Sequence, residues 1–201
     1  RQIQTIHQFG IEHLSCYSLT VEEKTKLKRL IDRGSIDMIP ENGNILHYEA
    51  LIETTQVLGY EQYEISNFAQ HQKYAQHNTA YWFGESYLGF GPGAHSFYNQ
   101  KRTWNISNLN QYIKGVLEHE AYEEEEDLTA ENKTNEYIMT SLRTKWGMDL
   151  NKLNQWLSYP NRKEITSLIQ DGYLATNPDG NIVLTHEGKM IADHIIMQLM
   201  V

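Results

Sequence analysis

Predicted helices, each ended by a glycine, alternate with short predicted strands along the first third of the chain. The order of these elements limits the folds available to the chain. Residues 2–9 carry apolar side chains at helical spacing, and residues 13–20 follow as a short strand. A basic helix is predicted over 24–33, then an apolar helix over 44–58 and a strand over 60–66. Helices and strands in alternation are typical of βαβ units with a parallel sheet, so we predict an α/β fold.

The last third of the chain has a different order of predicted elements. Helices are expected after the capping residue Thr129, over 150–157 and after Pro160. Two strands follow, on either side of the turn Asn177–Gly180, and Thr185 caps a final helix. Helix, helix, hairpin, helix is the outline of a small α+β, winged-helix-like domain.

Charge is distributed unevenly along the chain, whose formal net charge is −9. Residues 1–117 contain 11 acidic and 10 basic side chains, whereas residues 118–201 contain 15 and 7. This balance argues against duplex nucleic acid as a partner, because phosphate contacts require lysine and arginine. The run Glu123–Asp127 is interpreted as a solvated linker or strand edge. It suggests a division into domains of residues 1–117 and 118–201.

Cys16 is the single cysteine of the chain. One cysteine cannot form an internal disulfide, and it excludes any multi-cysteine zinc or iron–sulfur site built from this chain alone. We expect an inert, buried thiol, because Leu14, Tyr17 and Leu19 are its neighbours in sequence. No apolar run approaches the roughly 20 residues of a membrane-spanning helix, and no signal peptide is apparent, so a cytoplasmic protein is expected.

The segment 77–96, HNTAYWFGESYLGFGPGAHS, holds the candidate binding residues. His77 stands close to Tyr81 and Trp82, and an imidazole beside aromatic faces suits a metal bound in a planar ring. The alternative is structural: His77 and Asn78 would cap a helix beginning near Thr79, with the two aromatic side chains in the core. Three glycines then occupy alternate positions, where the backbone could approach a ligand or simply make a tight bend; they are Gly89, Gly91 and Gly93.

Five segments in register resemble one known family. The chain is similar to the oxygen-independent coproporphyrinogen III oxidase-like radical SAM proteins in its segments 13–20 (HLSCYSLT), 59–69 (GYEQYEISNFA), 77–82 (HNTAYW), 87–97 (YLGFGPGAHSF) and 102–105 (RTWN). The HNTAYW segment resembles the heme chaperone branch of that family. The end of the chain also resembles the family's C-terminal domain. The resemblance implies the C-terminal part of a partial (β/α)6 barrel in residues 1–117, followed by the winged-helix-like domain in 118–201. The chain would then be the C-terminal half of a longer protein.

The resemblance also implies roles for individual residues. Heme would contact His77, Asn78, Tyr81 and Trp82, with His77 as a possible ligand of the heme iron. S-Adenosylmethionine would approach Thr20 and the loop that carries the three glycines and His95. Active sites of such barrels lie at the C-terminal ends of strands, and Thr20 ends a predicted strand. Glu64 and Asn67 are candidates for polar groups that face the barrel interior.

The family's radical chemistry requires a CxxxCxxC motif for a [4Fe–4S] cluster, and this chain has none. The cluster and S-adenosylmethionine are therefore expected in the full-length protein only, and no catalytic residue is assigned here.

Three functions remain open at this stage. The first is a heme chaperone that binds heme and transfers it to heme-accepting proteins. The second is an enzyme, the oxidase that converts coproporphyrinogen III to protoporphyrinogen IX by oxidative decarboxylation. The third is a protein–protein interaction module built on the acidic residues 118–201. The HNTAYW segment favours the chaperone.

Overall fold

The computed structural model describes residues 2–99 and 101–201, and it divides the chain into two compact units. The first unit is Arg1–Ala75 and the second is Gln76–Val201. The domain boundary between residues 117 and 118, which was inferred from the acidic run and the family resemblance, stays a prediction.

The first unit consists of three helices and a small sheet. Its elements are α1 (Gln2–Gln8), β1 (His13–Ser15), α2 (Lys26–Asp32), α3 (Glu41–Val57), β2 (Glu61–Glu64) and β3 (Asn67–Ala69). The three predicted helices are present, with α3 beginning three residues earlier than expected. The predicted strand over 13–20 is reduced to the three residues of β1.

The sheet of this unit is antiparallel, so the prediction of a parallel sheet was wrong. Its strand order is β1-β3-β2, and β3 pairs antiparallel with both neighbours. The predicted strand over 60–66 turns back on itself after Glu64. The Glu64 carboxylate accepts hydrogen bonds from the Ser66 backbone N–H at 2.9 Å and from the Asn67 amide at 2.6 Å. These bonds hold a tight turn. As a result β3 lies between β1 and β2, the two strands that the alternation of helices and strands predicts to pair directly.

The core of the first unit is small. Leu14, Tyr60 and Phe68 are buried together, and five partly buried side chains pack against them. These five are Ile3, Cys16, Leu51, Ile52 and Leu58. The Tyr60 hydroxyl donates to the Ile11 carbonyl, which fastens the segment before β1 to the sheet.

The second unit contains two separate sheets and seven helices among its described residues. Its elements are α4 (Gln76–Phe83), β4 (His95–Tyr98), β5 (Lys101–Asn105), α5 (Leu109–Glu118), β6 (Glu123–Asp127), α6 (Ala130–Leu142), α7 (Leu150–Leu153), α8 (Arg162–Gln170), β7 (Leu174–Thr176), β8 (Ile182–Leu184), α9 (His186–Met190) and α10 (Ala192–Leu199). The two predicted caps are confirmed, because the side chains of Thr129 and Thr185 each accept a backbone N–H in the first turn of α6 and α9. The Asn108 side chain caps α5 in the same way.

The acidic run Glu123–Asp127 is β6, the edge strand of the antiparallel sheet β4-β5-β6. It pairs with all five residues of β5, from Lys101 opposite Asp127 to Asn105 opposite Glu123. Of the two interpretations offered for this run, strand edge is therefore observed and linker is not. A row of carboxylates suits an edge strand, because like charge discourages pairing with another chain.

The helices α6, α8, α9 and α10 enclose the main core together with the hairpin β7–β8. Its fully buried side chains include Ile138, Leu142, Met148, Leu153, Leu174, Ile195 and Leu199. The three helices predicted before the hairpin are present as α6, α7 and α8, and the turn lies at Asn177–Gly180 as predicted. The winged-helix-like description of this part remains a prediction.

The final helix, predicted as one element, is divided at Ile191. That residue adopts a non-helical backbone conformation between α9 and α10, and its side chain is 38% exposed. Before the break, α9 packs closely, since a Cβ atom on Gly188 would lie 2.1 Å from the Tyr173 carbonyl oxygen. After the break, α10 buries Ile195 and Leu199. No helix among the described residues is both long and apolar enough to cross a membrane.

Candidate functional site

The HNTAYW segment lies on α4, and its residues are distributed over two faces of this helix. His77 falls within the first turn rather than before the helix, because α4 begins at Gln76. The predicted cap at His77 and Asn78 is therefore wrong, as is full burial of the two aromatic residues. Tyr81 is 39% exposed, and Trp82 is partly buried. His77 itself is exposed.

A row of aromatic rings runs from His77 into the unit. The His77 imidazole contacts Tyr81, one turn later on the same helix face, with ring centroids 4.9 Å apart and nearly perpendicular planes. Tyr81 contacts Tyr87 at 4.6 Å, and Tyr87 lies 6.3 Å from Phe97. Two backbone hydrogen bonds join Tyr87 to Phe97 and keep this end of the row in place. Burial raises the pKa of the Tyr87 hydroxyl, although the positive charge of Arg102 opposes that effect.

Tyr81, Tyr87 and Phe97 of this row form one wall of a cleft of about 610 Å³ within the second unit. Pockets of roughly 300–1,000 Å³ accommodate small organic ligands. Side chains from α4, the loop after it, β4, β5, α6 and the segment around α7 line this cleft. The aromatic members are Tyr81, Trp82, Phe83, Tyr87, Phe97, Tyr137 and Trp156.

Trp82 carries a buried polar atom that lacks a partner. Its indole Nε1–H is enclosed by protein and makes no hydrogen bond with any described residue. Trp82 also lines the cleft. An unsatisfied buried donor costs roughly 1–3 kcal/mol, so this indole N–H is a local cost to the fold.

Charged side chains enter the cleft from three elements. Arg102 on β5 is already paired, because its guanidinium lies 2.6 Å from the Glu136 carboxylate and 3.9 Å from that of Glu126. Lys133 on α6 has no carboxylate within ion-pair distance among the described residues. Lys152 on α7 lacks one too, and its ammonium nitrogen lies 4.5 Å from the centre of the Tyr137 ring. The cleft thus contains cations whose charge the protein leaves uncompensated.

The glycine loop is explained largely by its own backbone. A Cβ atom on Gly89 would lie 2.1 Å from the His95 carbonyl oxygen, so the two segments approach too closely for any side chain. Gly91 and Gly93 have φ values of +102° and +71°, which favour glycine. His95 begins β4, is exposed, and lies with its ring centroid 6.0 Å from that of Trp104.

The remaining predicted residues belong to the first unit. Thr20 is exposed and lies outside any helix or strand. Glu64 and Asn67 are 2% and 0% exposed, and they bond to each other, with Asn67 also accepting from the Ser15 hydroxyl at 2.6 Å. The bonds that these two side chains make here hold the hairpin β2–β3. Cys16 is partly buried, and burial raises the pKa of its thiol, which favours the unreactive protonated form.

Lys133, Lys152, Tyr137 and Trp156 were not among the candidates that the sequence supplied. They lie 50 or more residues beyond Trp82 in sequence and form no motif with it. The nearest available signal is the spacing of Lys133, Glu136, Tyr137 and Thr140, which places all four on one face of α6.

No group of three or more histidine, cysteine, aspartate or glutamate side chains able to hold a metal ion occurs among residues 2–99 and 101–201.

No protein-family model matches the chain. Among curated proteins, it is 30% identical over 197 residues to "Heme chaperone HemW" of Bacillus subtilis, which covers 96% of this chain and 52% of that protein. It is 29% identical over 205 residues to the protein of the same name from Mycobacterium tuberculosis, covering 100% of this chain and 50% of the relative. The zebrafish (Danio rerio) protein "Radical S-adenosyl methionine domain-containing protein 1, mitochondrial" is 33% identical over 95 residues, 47% of this chain and 21% of its own length.

Among solved structures, coproporphyrinogen III oxidase (HemN) from Escherichia coli, described as a radical SAM enzyme, has a similar fold. The TM-score is 0.68 at 18% identity, and the match covers 99% of this chain and 50% of the enzyme. The chain spans about half the length of the curated relatives it matches. The resemblance stated from the sequence is thereby confirmed: by sequence the chain is a homologue of the heme chaperones HemW, and by fold it is similar to a radical SAM enzyme.

Proposed function

We propose that this protein is part of a heme chaperone, which binds heme and transfers it to heme-accepting proteins in the cytoplasm. The observation that carries the proposal is the match of the whole chain to relatives named heme chaperones. The HNTAYW segment adds to it, because α4 presents an exposed imidazole beside a row of aromatic rings. Neutral imidazole is a common ligand of heme iron, and aromatic faces stack on a macrocycle.

In this proposal His77 is the ligand of the heme iron. Its ring is exposed, so a macrocycle can reach it without displacing the core. Tyr81 holds the imidazole from one side through the perpendicular ring contact at 4.9 Å. Asn78, Tyr81 and Trp82 are proposed as further heme contacts because they belong to the same HNTAYW segment, and Tyr81 is the one in ring contact with His77.

The radical SAM cofactors are a separate part of the proposal. Thr20, Gly89, Gly91, Gly93 and His95 are proposed to lie on the S-adenosylmethionine side of the full-length protein. The single cysteine does not fit a [4Fe–4S] cluster that requires three thiolates, so no step of heme binding is assigned to that cluster.

The test is a titration of the protein with hemin, followed by absorbance in the Soret region. We expect a saturable band that is lost or strongly weakened in His77→Ala. His194→Ala is the matched control, because His194 is an exposed histidine on α10 of the same unit, and it should bind as the wild type does. A band of equal intensity in all three proteins would exclude His77 as the iron ligand, and no band with the wild type would contradict heme carriage by this chain.

Oxidative decarboxylation of coproporphyrinogen III is the second candidate function. It is favoured by the similarity of fold to coproporphyrinogen III oxidase. The full-length protein, reconstituted with its cluster and supplied with reductant and S-adenosylmethionine, should then produce protoporphyrinogen IX. Unchanged coproporphyrinogen after such an incubation would remove this candidate.

A further inference from the structure

One face of α6 has no role in the hydrophobic core. The side chains of Thr134, Ile138, Ser141 and Leu142 are buried, and they fix the face of α6 that packs into the unit. A second face, formed by Lys133, Glu136, Tyr137 and Thr140 at helical spacing, lines the cleft instead. A helix that directs aromatic and cationic side chains into a cavity provides a surface for a ligand.

The walls of the cleft suit a flat conjugated molecule. Tyr137 and Trp156 contact each other at 5.5 Å with nearly perpendicular rings on one side. Tyr81 and Tyr87 form the aromatic wall described above on another. Aromatic side chains on more than one side favour a ligand with extended π faces.

The charges of the cleft suit a carboxylic acid. Its lining contains three cations, Arg102, Lys133 and Lys152, and two carboxylates, Glu85 and Glu136. Glu136 is paired with Arg102 at 2.6 Å, and neither lysine has an ion-pair partner in the described part of the chain, so both can pair with an incoming anion. This excess of positive charge stands out in a chain of net charge −9, whose surface elsewhere would repel such an anion.

We propose that the cleft between α4 and α6 is a binding site for the carboxylate-bearing edge of a porphyrin, with Lys133 and Lys152 pairing with its carboxylates and the aromatic walls holding its ring. The identity of the ligand as a porphyrin rests on the proposed function. The site is independent of iron and of His77, which does not line the cleft.

The test uses metal-free protoporphyrin IX and its dimethyl ester, titrated into the whole chain and followed by porphyrin and tryptophan fluorescence. The wild type should bind the free acid about tenfold more tightly than the ester, because esterification removes both negative charges. Lys133→Gln and Lys152→Gln should each weaken binding of the acid by about fivefold to tenfold and reduce its preference over the ester. Lys133→Arg, which keeps the charge, should retain that preference.

Lys163→Gln is the matched control, because Lys163 is an exposed lysine on α8 outside the cleft, and it should not differ from the wild type. Equal affinity of the wild type for acid and ester would overturn the proposal, as would lysine variants that bind the acid normally, or no binding of protoporphyrin at all.

The two proposals fail in different ways. If hemin binding depends on His77 while the lysine variants bind both porphyrins normally, heme carriage stands and the cleft assignment is wrong. If hemin gives no His77-dependent band, but binding of protoporphyrin still depends on the two lysines, the cleft assignment stands and His77-dependent heme carriage is wrong.

Discussion

Two tyrosines of the second unit use their hydroxyl groups to join separate elements. The Tyr137 hydroxyl accepts from the Asp149 backbone N–H at 2.9 Å and so connects α6 to the start of α7. The Tyr159 hydroxyl donates to the Leu199 carbonyl at 2.6 Å, near the end of α10. Tyr159 is 3% exposed, and burial raises the pKa of its hydroxyl to about 12. These bonds position the helix ends that enclose the main core.

The Tyr159→Phe substitution should destabilise the protein by about 1 kcal/mol near neutral pH, through loss of one buried hydrogen bond. The Leu199 carbonyl keeps a second donor, the Asn161 side-chain amide at 3.2 Å, which limits the cost. Urea unfolding of the variant and the wild type would measure the difference.

The same pair of proteins should differ in the pH dependence of stability. An unfolded tyrosine titrates near pH 10, whereas the folded Tyr159 retains its proton to about 12. The unfolded state therefore binds fewer protons between these values, and the wild type loses stability as the pH rises through them. The advantage of the wild type over Tyr159→Phe should shrink above about pH 10. A constant advantage up to pH 11 would contradict the raised pKa.

At the scale of single elements, the loop between α4 and β4 depends on close backbone contact. Gly89 lies against the His95 carbonyl, and its N–H donates to the Ser96 hydroxyl at 3.0 Å. Gly84, at the end of α4, differs in kind: its φ is +70°, but no atom lies within 4 Å of the position of a Cβ. Gly89 is therefore required because no side chain fits there, whereas Gly84 is required because of its backbone conformation.

Gly89→Ala should destabilise the protein by at least about 2 kcal/mol, since the new Cβ forces strand β4 away from the loop. Gly84→Ala should cost about 1 kcal/mol, the strain of a left-handed alanine. Denaturant unfolding of both variants is the measurement. Equal losses at the two positions would mean that the loop moves freely to admit a side chain.

The hairpins β7–β8 and β2–β3 illustrate what local signals can predict at this scale. The β7–β8 turn was predicted because Asn177 and Gly180 are turn residues, and the Asn177 side chain does accept from the backbone N–H groups of Asp179 and Asn181. The β2–β3 turn was missed because Ile65 and Ser66 resemble the continuation of a strand. Its determinant is the Glu64 carboxylate, which becomes a turn acceptor only once it is buried.

For the whole molecule, the two units differ greatly in the size of their cores. Among the residues that the structure describes, five buried apolar residues belong to the first unit, namely Leu14, Tyr60, Tyr63, Phe68 and Ala69. The other fifteen found there belong to the second unit. Burial of apolar surface is the main favourable term in folding, so the units should differ in stability.

Native-state hydrogen exchange should find the most protected amides in α6, α10 and the β7–β8 hairpin. Amides of α1, α3 and β1–β3 should exchange through an opening of lower free energy, as expected for a cooperative unit with few buried contacts. The experiment follows exchange by mass spectrometry as urea rises below the unfolding transition. Equal protection of both units, with a single opening reaction, would show that they unfold together.

The fold and the candidate site could be anticipated to different extents. Helix caps, the Asn177 turn and most helix positions were predictable from sequence, because they depend on hydrogen bonds and side-chain spacing within about four residues. The HNTAYW segment and the family resemblance were equally visible in the linear order of residues. The antiparallel position of β3 and the cleft were not, since both depend on groups distant in sequence. Trp82, Lys133 and Lys152 meet around one cavity only because α4 and α6 pack in the same unit, and that packing is a property of the folded chain.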